Sequence, residues 1–213
     1  RDEQTGELNG LARTRAFTQD DAHIFCREQH ISQEVANIWG IIQTFYGVFN
    51  FPLSLRISTR DDSGEYAGTD EQWEFAEKQL RDFVKNGQHD MDVEEEGVGD
   101  AAFYGPKLDF MAKDSLGRQW QVATIQLDFS QPEGLGLTYI AEDGTEKRPL
   151  MIHCAVMGSI ERFLAVLIEH LGGKFPVWLA PEQIRIITVN QEEETTKFAD
   201  DILTKVKEFG LRA

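Results

Sequence analysis

Apolar residues recur at helical spacing over residues 34–49, where Val35, Ile38, Trp39, Ile41, Ile42, Phe45, Tyr46 and Phe49 form a face and Ser32 stands ready as a cap. A core-facing helix is predicted there. Leu53, Leu55 and Ile57 then alternate with Ser54, Arg56 and Ser58 behind Pro52, the pattern of a half-buried strand. The run RDDSGEYAGT at 60–69 reads as an exposed loop. Thr69 or Asp70 is placed to cap a helix over 71–85 whose apolar face is Trp73, Phe75, Ala76, Leu80, Phe83 and Val84.

Residues 107–113 and 118–129 read as two strands closed by Asp114-Ser115-Leu116-Gly117, a hairpin turn. Alternation along the second strand puts Gln119, Gln121, Ala123, Ile125, Leu127 and Phe129 on one face, and Trp120, Val122, Thr124, Gln126 and Asp128 on the other. Residues 137–140 and 149–155 flank the turn Glu142-Asp143-Gly144-Thr145 and predict a further strand pair. Ile160, Phe163, Leu164, Leu167 and Ile168 mark a helix stopped by Gly172-Gly173. After a connector carrying Pro176 and Pro181, residues 184–190 read as a strand buried on both faces, and residues 195–209 as an amphipathic helix ending at Gly210. The class is α+β: an antiparallel sheet flanked by helices, then one βα unit that cannot complete a sheet alone.

Composition narrows the function. No apolar run approaches 18 residues, which excludes a transmembrane helix. The formal charge of −16 argues against a domain whose main task is neutralising many phosphates, so any nucleic-acid contact is local. Cys26 and Cys154 are too few for a disulfide framework and fit a reducing, cytoplasmic setting. There is no initiator Met, basic leader or signal-like stretch, and the chain reads as a piece of a longer protein.

The chemistry concentrates at the start, RDEQTGELNGLARTRAFTQDDAHIF. If residues 13–25 are extended, Arg13, Arg15, Phe17, Gln19, Asp21 and His23 share a face too polar for a core. Cations, an aromatic plate, an amide, a carboxylate and an imidazole suit a site for phosphate, a flat base, an amino group and a metal. A solvated edge hairpin is the plainer alternative. The stretch resembles motif 2 of the class II aminoacyl-tRNA synthetases, and FTQDDAHIF is similar to the threonyl-tRNA synthetase family. FYGPK at 103–107, QLDF at 126–129, GSIERF at 158–163 (similar to motif 3) and WLAPEQ at 178–183 follow in that family's order.

The resemblance implies ATP-dependent (Mg2+-assisted) activation of threonine and its transfer to tRNA(Thr), with positioning and charge stabilisation supplying the rate. It implies that Arg1 meets the α-phosphate and the substrate carboxylate, Glu3 the adenine edge and Arg13 the outer phosphates, while Phe17 and Arg162 sandwich the adenine. Gln19, Asp21, Tyr104 and Gln126 would surround threonine, and Lys107 would face the reacting carboxyl or the tRNA end. His23 and His153 match two of three zinc ligands. The third in the family is a Cys upstream of these motifs, as is motif 1 with the homodimer interface. Cys26 and Cys154 do not replace that Cys, since each lies an odd number of residues from its neighbouring His and points to the opposite face of a strand. Residues 1–180 would be catalytic and 181–213 the start of an anticodon-binding domain. Taken alone, a strand glutamine is a surface residue, a lone His a hydrogen-bonded core residue, and Arg162 a surface helix charge. A prolyl- or seryl-type synthetase, or an inactive synthetase-like binding or regulatory protein, is the alternative.

Overall fold

The computed structural model describes residues 4, 6–64, 66–87, 91–93 and 97–213. The chain divides into two units, residues 1–170 and 171–213. In the first, the elements in order are β1 (Ala22–Cys26), a 3-10 turn (Glu28–His30), α1 (Ile31–Gly47), β2 (Ser54–Thr59), α2 (Asp70–Asn86), β3 (Asp92–Val93), β4 (Gly97–Val98), β5 (Lys107–Lys113), β6 (Gln119–Asp128), α3 (Gln131–Gly134), β7 (Tyr139–Ile140), β8 (Glu146–Lys147), β9 (Leu150–Ala155) and α4 (Ile160–Leu171). The sheet order is β1-β9-β6-β5-β2-β3, with β4 also on β2. Its pairings are antiparallel except for the two short strands beside β2.

One sheet face is apolar for a reason visible in the register. Ile24, Ile152 and Leu127 stand in one row, and Cys154, Ile125, Leu108 and Ile57 in the next. Residues directly opposite in antiparallel pairs project to the same side, so these rows make a continuous floor for helices. Helix α1 lies there, with the Trp39 and Phe110 rings 5.0 Å apart. Ile31, Val35, Ile38, Ile42 and Tyr46 are its buried stripe, and Trp73, Ala76 and Leu80 are that of α2. Thr69 caps α2 in a reciprocal box with Gln72, the Gln72 N–H donating to Thr69 Oγ1 (3.4 Å) and the Thr69 N–H to Gln72 Oε1 (2.9 Å). Ser32 does not cap α1, because the preceding 3-10 turn carries the helix start back to Ile31.

The β5–β6 hairpin closes around Asp114. Its Oδ1 accepts the Leu116 and Arg118 N–H groups, both at 2.9 Å, and its Oδ2 accepts from Arg118 Nε (2.6 Å) and Trp120 Nε1 (2.9 Å). These donors, Trp120 foremost, hold its carboxyl down at about 2.

Several sequence expectations are corrected. Residues 13–21 are not a strand: β1 begins at Ala22, and the preceding segment runs along the start of α4. There Asp20 N–H donates to Gly158 O, Ile160 N–H to Thr18 O, and Asp20 Oδ2 accepts from the Val156 and Met157 N–H groups. Residues 149–155 do not pair with 137–140. Strand β7 pairs with β8 across the tight turn, and Pro149, lacking an N–H, ends that ladder, so β9 goes between β1 and β6. Strict alternation fails at the start of β6. The pairing slips between Phe110 and Met111, leaving Val122 as an extra residue and bringing Gln121 to the side of Thr124.

In the second unit, residues 184–190 are not a strand among the described residues, and Ile187 and Val189 are 80% and 94% exposed. A strand needs a neighbour for its N–H and C=O groups, and none pairs here. Helix α5 (Glu193–Glu208) forms as its periodicity requires. Arg212 ties the unit's ends, donating to Ala180 O and Trp178 O while its own carbonyl accepts the Gln183 N–H.

Candidate functional site

The face opposite the helices is polar. One row across it reads His23, His153, Gln126, Lys107 and Ser58, each directly opposite the next on β1, β9, β6, β5 and β2. His23 and Lys107 are thus three strand spacings apart, about 14 Å. Residues flanking this row two positions away, Asp109, Thr124 and Asp128, project to the same side.

At one end the His23 and His153 rings meet edge to face, with centroids 4.5 Å apart. Asp21 joins them, and one ligating atom from each of Asp21, His23 and His153 lies within 4.8 Å of the others. Two imidazole nitrogens are donors that zinc accepts, and a carboxylate beside them favours a cation, so the residues present fit that ion. The cysteines stay on the helix side as their odd spacing requires: both are buried, and burial, with Glu34 adding, pushes the Cys26 thiol up to about 11. On that side they face away from the Asp21, His23 and His153 cluster.

Beside the histidines, Tyr104 stacks on His153 at 4.7 Å and donates its hydroxyl to Gln126 Oε1. Burial, with the Asp128 and Asp21 charges adding, raises that hydroxyl to about 12. Tyr104 reaches this position because Gly105 lies hard against β6; a Cβ there would come 1.7 Å from Leu127 O. Gln126 passes the sequence on, Nε2 donating to Thr124 Oγ1 (3.2 Å), which donates to Asp109 Oδ1 (3.0 Å). Asp109 is buried and also accepts from Gln121 (2.7 Å) and Ser58 (2.8 Å), and Lys107 Nζ lies 3.0 Å from its Oδ2. The Gln126 amide is therefore held in one orientation, and Lys107 in one place.

Next to this row, a cleft of ≈ 240 Å³ is lined by Arg13, Phe17, Gln19, Thr124, Ser159 and Arg162, among others. Arg162, in the first turn of α4, donates Nε to Ala12 O (2.9 Å) and Nη1 to Gln121 O (3.1 Å), and its guanidinium carbon sits 5.4 Å from the Trp120 ring centre. The fork is thus fixed in plane with an aromatic plate behind it. Gly158 lets the turn into α4 press on β6: its φ is +67°, and a Cβ would lie 2.7 Å from Val122 O.

The structure brings Arg13, Phe17, Gln19 and Arg162 to one cleft, and Asp21, His23, His153, Tyr104, Gln126 and Lys107 to the adjoining row. Arg15 does not line the cleft, and Arg1 and Glu3 lie outside the described residues. Sequence reasoning missed Asp109, Thr124, Gln121, Asp128 and Trp120. A signal was available for two of them: Lys107-Leu108-Asp109-Phe110 and Gln126-Leu127-Asp128-Phe129 repeat a polar-Leu-Asp-Phe pattern on neighbouring strands.

Residues 1–171 match the family described as the tRNA synthetase class II core domain (G, H, P, S and T). The chain is 45% identical over 212 residues to a threonine-tRNA ligase of Clostridium tetani, covering 100% of this chain and 32% of that protein. A crystal structure titled as the RNA binding domain of threonyl-tRNA synthetase from Cryptosporidium parvum Iowa II is 40% identical with TM-score 0.87, covering 98% of this chain and 51% of the other. A prolyl-tRNA synthetase from Cryptosporidium parvum, 16% identical with TM-score 0.62 and covering 98% of this chain and 37% of its own, shares the fold. The chain spans about a third of the length of the curated relatives it matches, and with a family match over most of its residues it belongs to the class II tRNA synthetase core domains.

Proposed function

We propose that this chain carries the amino-acid-activating site of a threonine-tRNA ligase, which joins threonine to ATP's α-phosphate and transfers it to tRNA(Thr), and which selects threonine with a zinc ion. The observation that carries the reading is the placement of the Asp21, His23 and His153 cluster on the same sheet face as the Phe17 and Arg162 cleft. In this reading Phe17 and Arg162 hold the adenine between an aromatic ring and a planar guanidinium, Arg13 meets the outer phosphates with Mg2+, and Arg1 and Glu3 take the α-phosphate and adenine edge. Gln19, Asp21, Tyr104 and Gln126 surround threonine, with the fixed Gln126 carbonyl and the Asp21 carboxylate as its acceptors. Lys107 supplies positive charge near the carboxyl.

His23 and His153 would hold the zinc, which supplies a Lewis acid able to take an amino and a hydroxyl group as ligands. Shape alone would separate threonine from valine by only about 1–3 kcal/mol. A donor requirement excludes valine's methyl group. Residues 181–213 are read as the start of an anticodon-binding domain, and the reading includes a homodimeric protein in the cytoplasm. No helix among the described residues is long and apolar enough to cross a membrane. The test is amino-acid-dependent ATP-pyrophosphate exchange on the full-length protein. Threonine should drive it, and exchange driven by proline but not by threonine would overturn the assignment.

A further inference from the structure

We propose that Asp128 is a positioning residue that sets the tautomer of His153, so that Nδ1 is offered as a bare lone pair to a metal ion; this rests on the metal-selecting reading above. His153 Nε2 lies 2.8 Å from Asp128 Oδ2, in a pair whose side chains are 10% and 0% exposed. A carboxylate oxygen can only accept, so Nε2 carries the hydrogen and the neutral ring leaves Nδ1 unprotonated. The ring is held against turning over by Tyr104 stacked on its face and His23 at its edge. A ligating histidine whose other nitrogen donates to a carboxylate is how proteins commonly orient an imidazole toward a metal.

Asp128 is itself fixed, and its two oxygens have separate tasks. Oδ1 accepts the N–H groups of Ser130 (2.9 Å) and Gln131 (2.8 Å), while Oδ2 faces His153. This division makes one substitution decisive. In Asp128→Asn the two backbone N–H groups still need an oxygen, so the amide carbonyl takes the Oδ1 place and the NH2 group takes the Oδ2 place. That NH2 meets Nε2–H donor against donor. The conflict is relieved when the imidazole carries its hydrogen on Nδ1 instead, which closes the nitrogen that the metal needs. The turn after β6 keeps both of its hydrogen bonds throughout.

The experiment combines zinc affinity, measured by competition with a chromogenic chelator on the full-length protein, with the 15N signature of the His153 ring in metal-free protein. Wild type should show the Nε2–H tautomer. Asp128→Asn should show the Nδ1–H tautomer and lose at least the about 10- to 100-fold in zinc affinity typical of such outer partners, at a nearly unchanged melting temperature. Asp128→Ala, with no donor facing Nε2, should fall between the two. Wild type that binds zinc while Asp128→Asn keeps both tautomer and affinity overturns the positioning role and leaves the metal reading intact. Lost affinity with an unchanged tautomer also overturns it, since Asp128 would then act through packing. An Nδ1–H ring in metal-free wild type overturns it without any variant, and a wild type that binds no zinc overturns the metal reading and the proposal together.

Discussion

Removing Asp109 is the perturbation whose size the structure defines best. The residue is 3% exposed, and its two oxygens divide four donors: Gln121 and Thr124 on Oδ1, Ser58 and Lys107 on Oδ2. The Lys107 side chain is only 15% exposed, so in Asp109→Ala its ammonium loses its partner where water compensates poorly. Breaking such a pair from one side costs about 3–5 kcal/mol. In Asp109→Asn the amide oxygen can keep Gln121 and Thr124, and the Ser58 hydroxyl can turn to accept. Lys107 still loses its countercharge, so the Asn variant should fall near the lower end of that range, about 3 kcal/mol, and below the Ala variant, which also leaves Gln121, Thr124 and Ser58 without their acceptor. Urea unfolding read as a midpoint shift at constant slope separates these values. Both variants should also slow threonine activation, because Lys107 is no longer held in place. A cost below about 1 kcal/mol for Asp109→Ala, the range of an exposed pair, would refute the buried network, and an Asn variant as damaged as the Ala variant would refute the division between the two oxygens.

Phe17→Ala should weaken ATP binding by about 1–3 kcal/mol, the scale for a base losing an aromatic plate. Because Phe17 is 43% exposed, its melting temperature should hardly move, and unchanged ATP KM in pyrophosphate exchange would remove Phe17 from the nucleotide site. Asp114, held at about 2 against an ordinary 3.8, stabilises the hairpin fully above pH 3.8 and loses that contribution as pH falls toward 2. Acid titrations of wild type and Asp114→Asn should therefore differ most above pH 4 and converge near pH 2; parallel curves would contradict this. Thr69→Ala should cost about 0.5–2 kcal/mol in thermal or urea unfolding through loss of the α2 cap, and no loss would show that the box contributes nothing.

What was legible in the sequence was whatever local periodicity specifies. The Val35-to-Tyr46 stripe, the Trp73-to-Val84 face and the Asp114–Gly117 hairpin turn each carry their own signal and form where expected. What failed depended on distant partners. Nothing local in MIHCA says that β9 lies between β1 and β6 rather than beside β7, and nothing in residues 13–21 says that the turn into α4 takes their hydrogen bonds. At the site, His23, His153, Gln126 and Lys107, which the family motifs flag, fall in one row of the sheet, while Arg1 and Glu3 lie outside the described residues. Gln121 was assigned to the wrong side because one bulge at Val122 reverses an alternation that is otherwise correct from Ala123 onward. Asp109 and Asp128 went unnoticed because a carboxylate in a strand gains meaning only when its donors are known, and those come from other strands.

The most direct test of the account is threonine-, serine- and valine-dependent ATP-pyrophosphate exchange, run beside zinc analysis, on full-length wild type and His23→Ala. The account predicts zinc in the wild type, exchange with threonine, weaker exchange with serine and none with valine, with zinc and threonine selectivity both lost in His23→Ala. A wild type free of zinc, or one that activates valine as readily as serine, would contradict it and return His23 and His153 to a structural role.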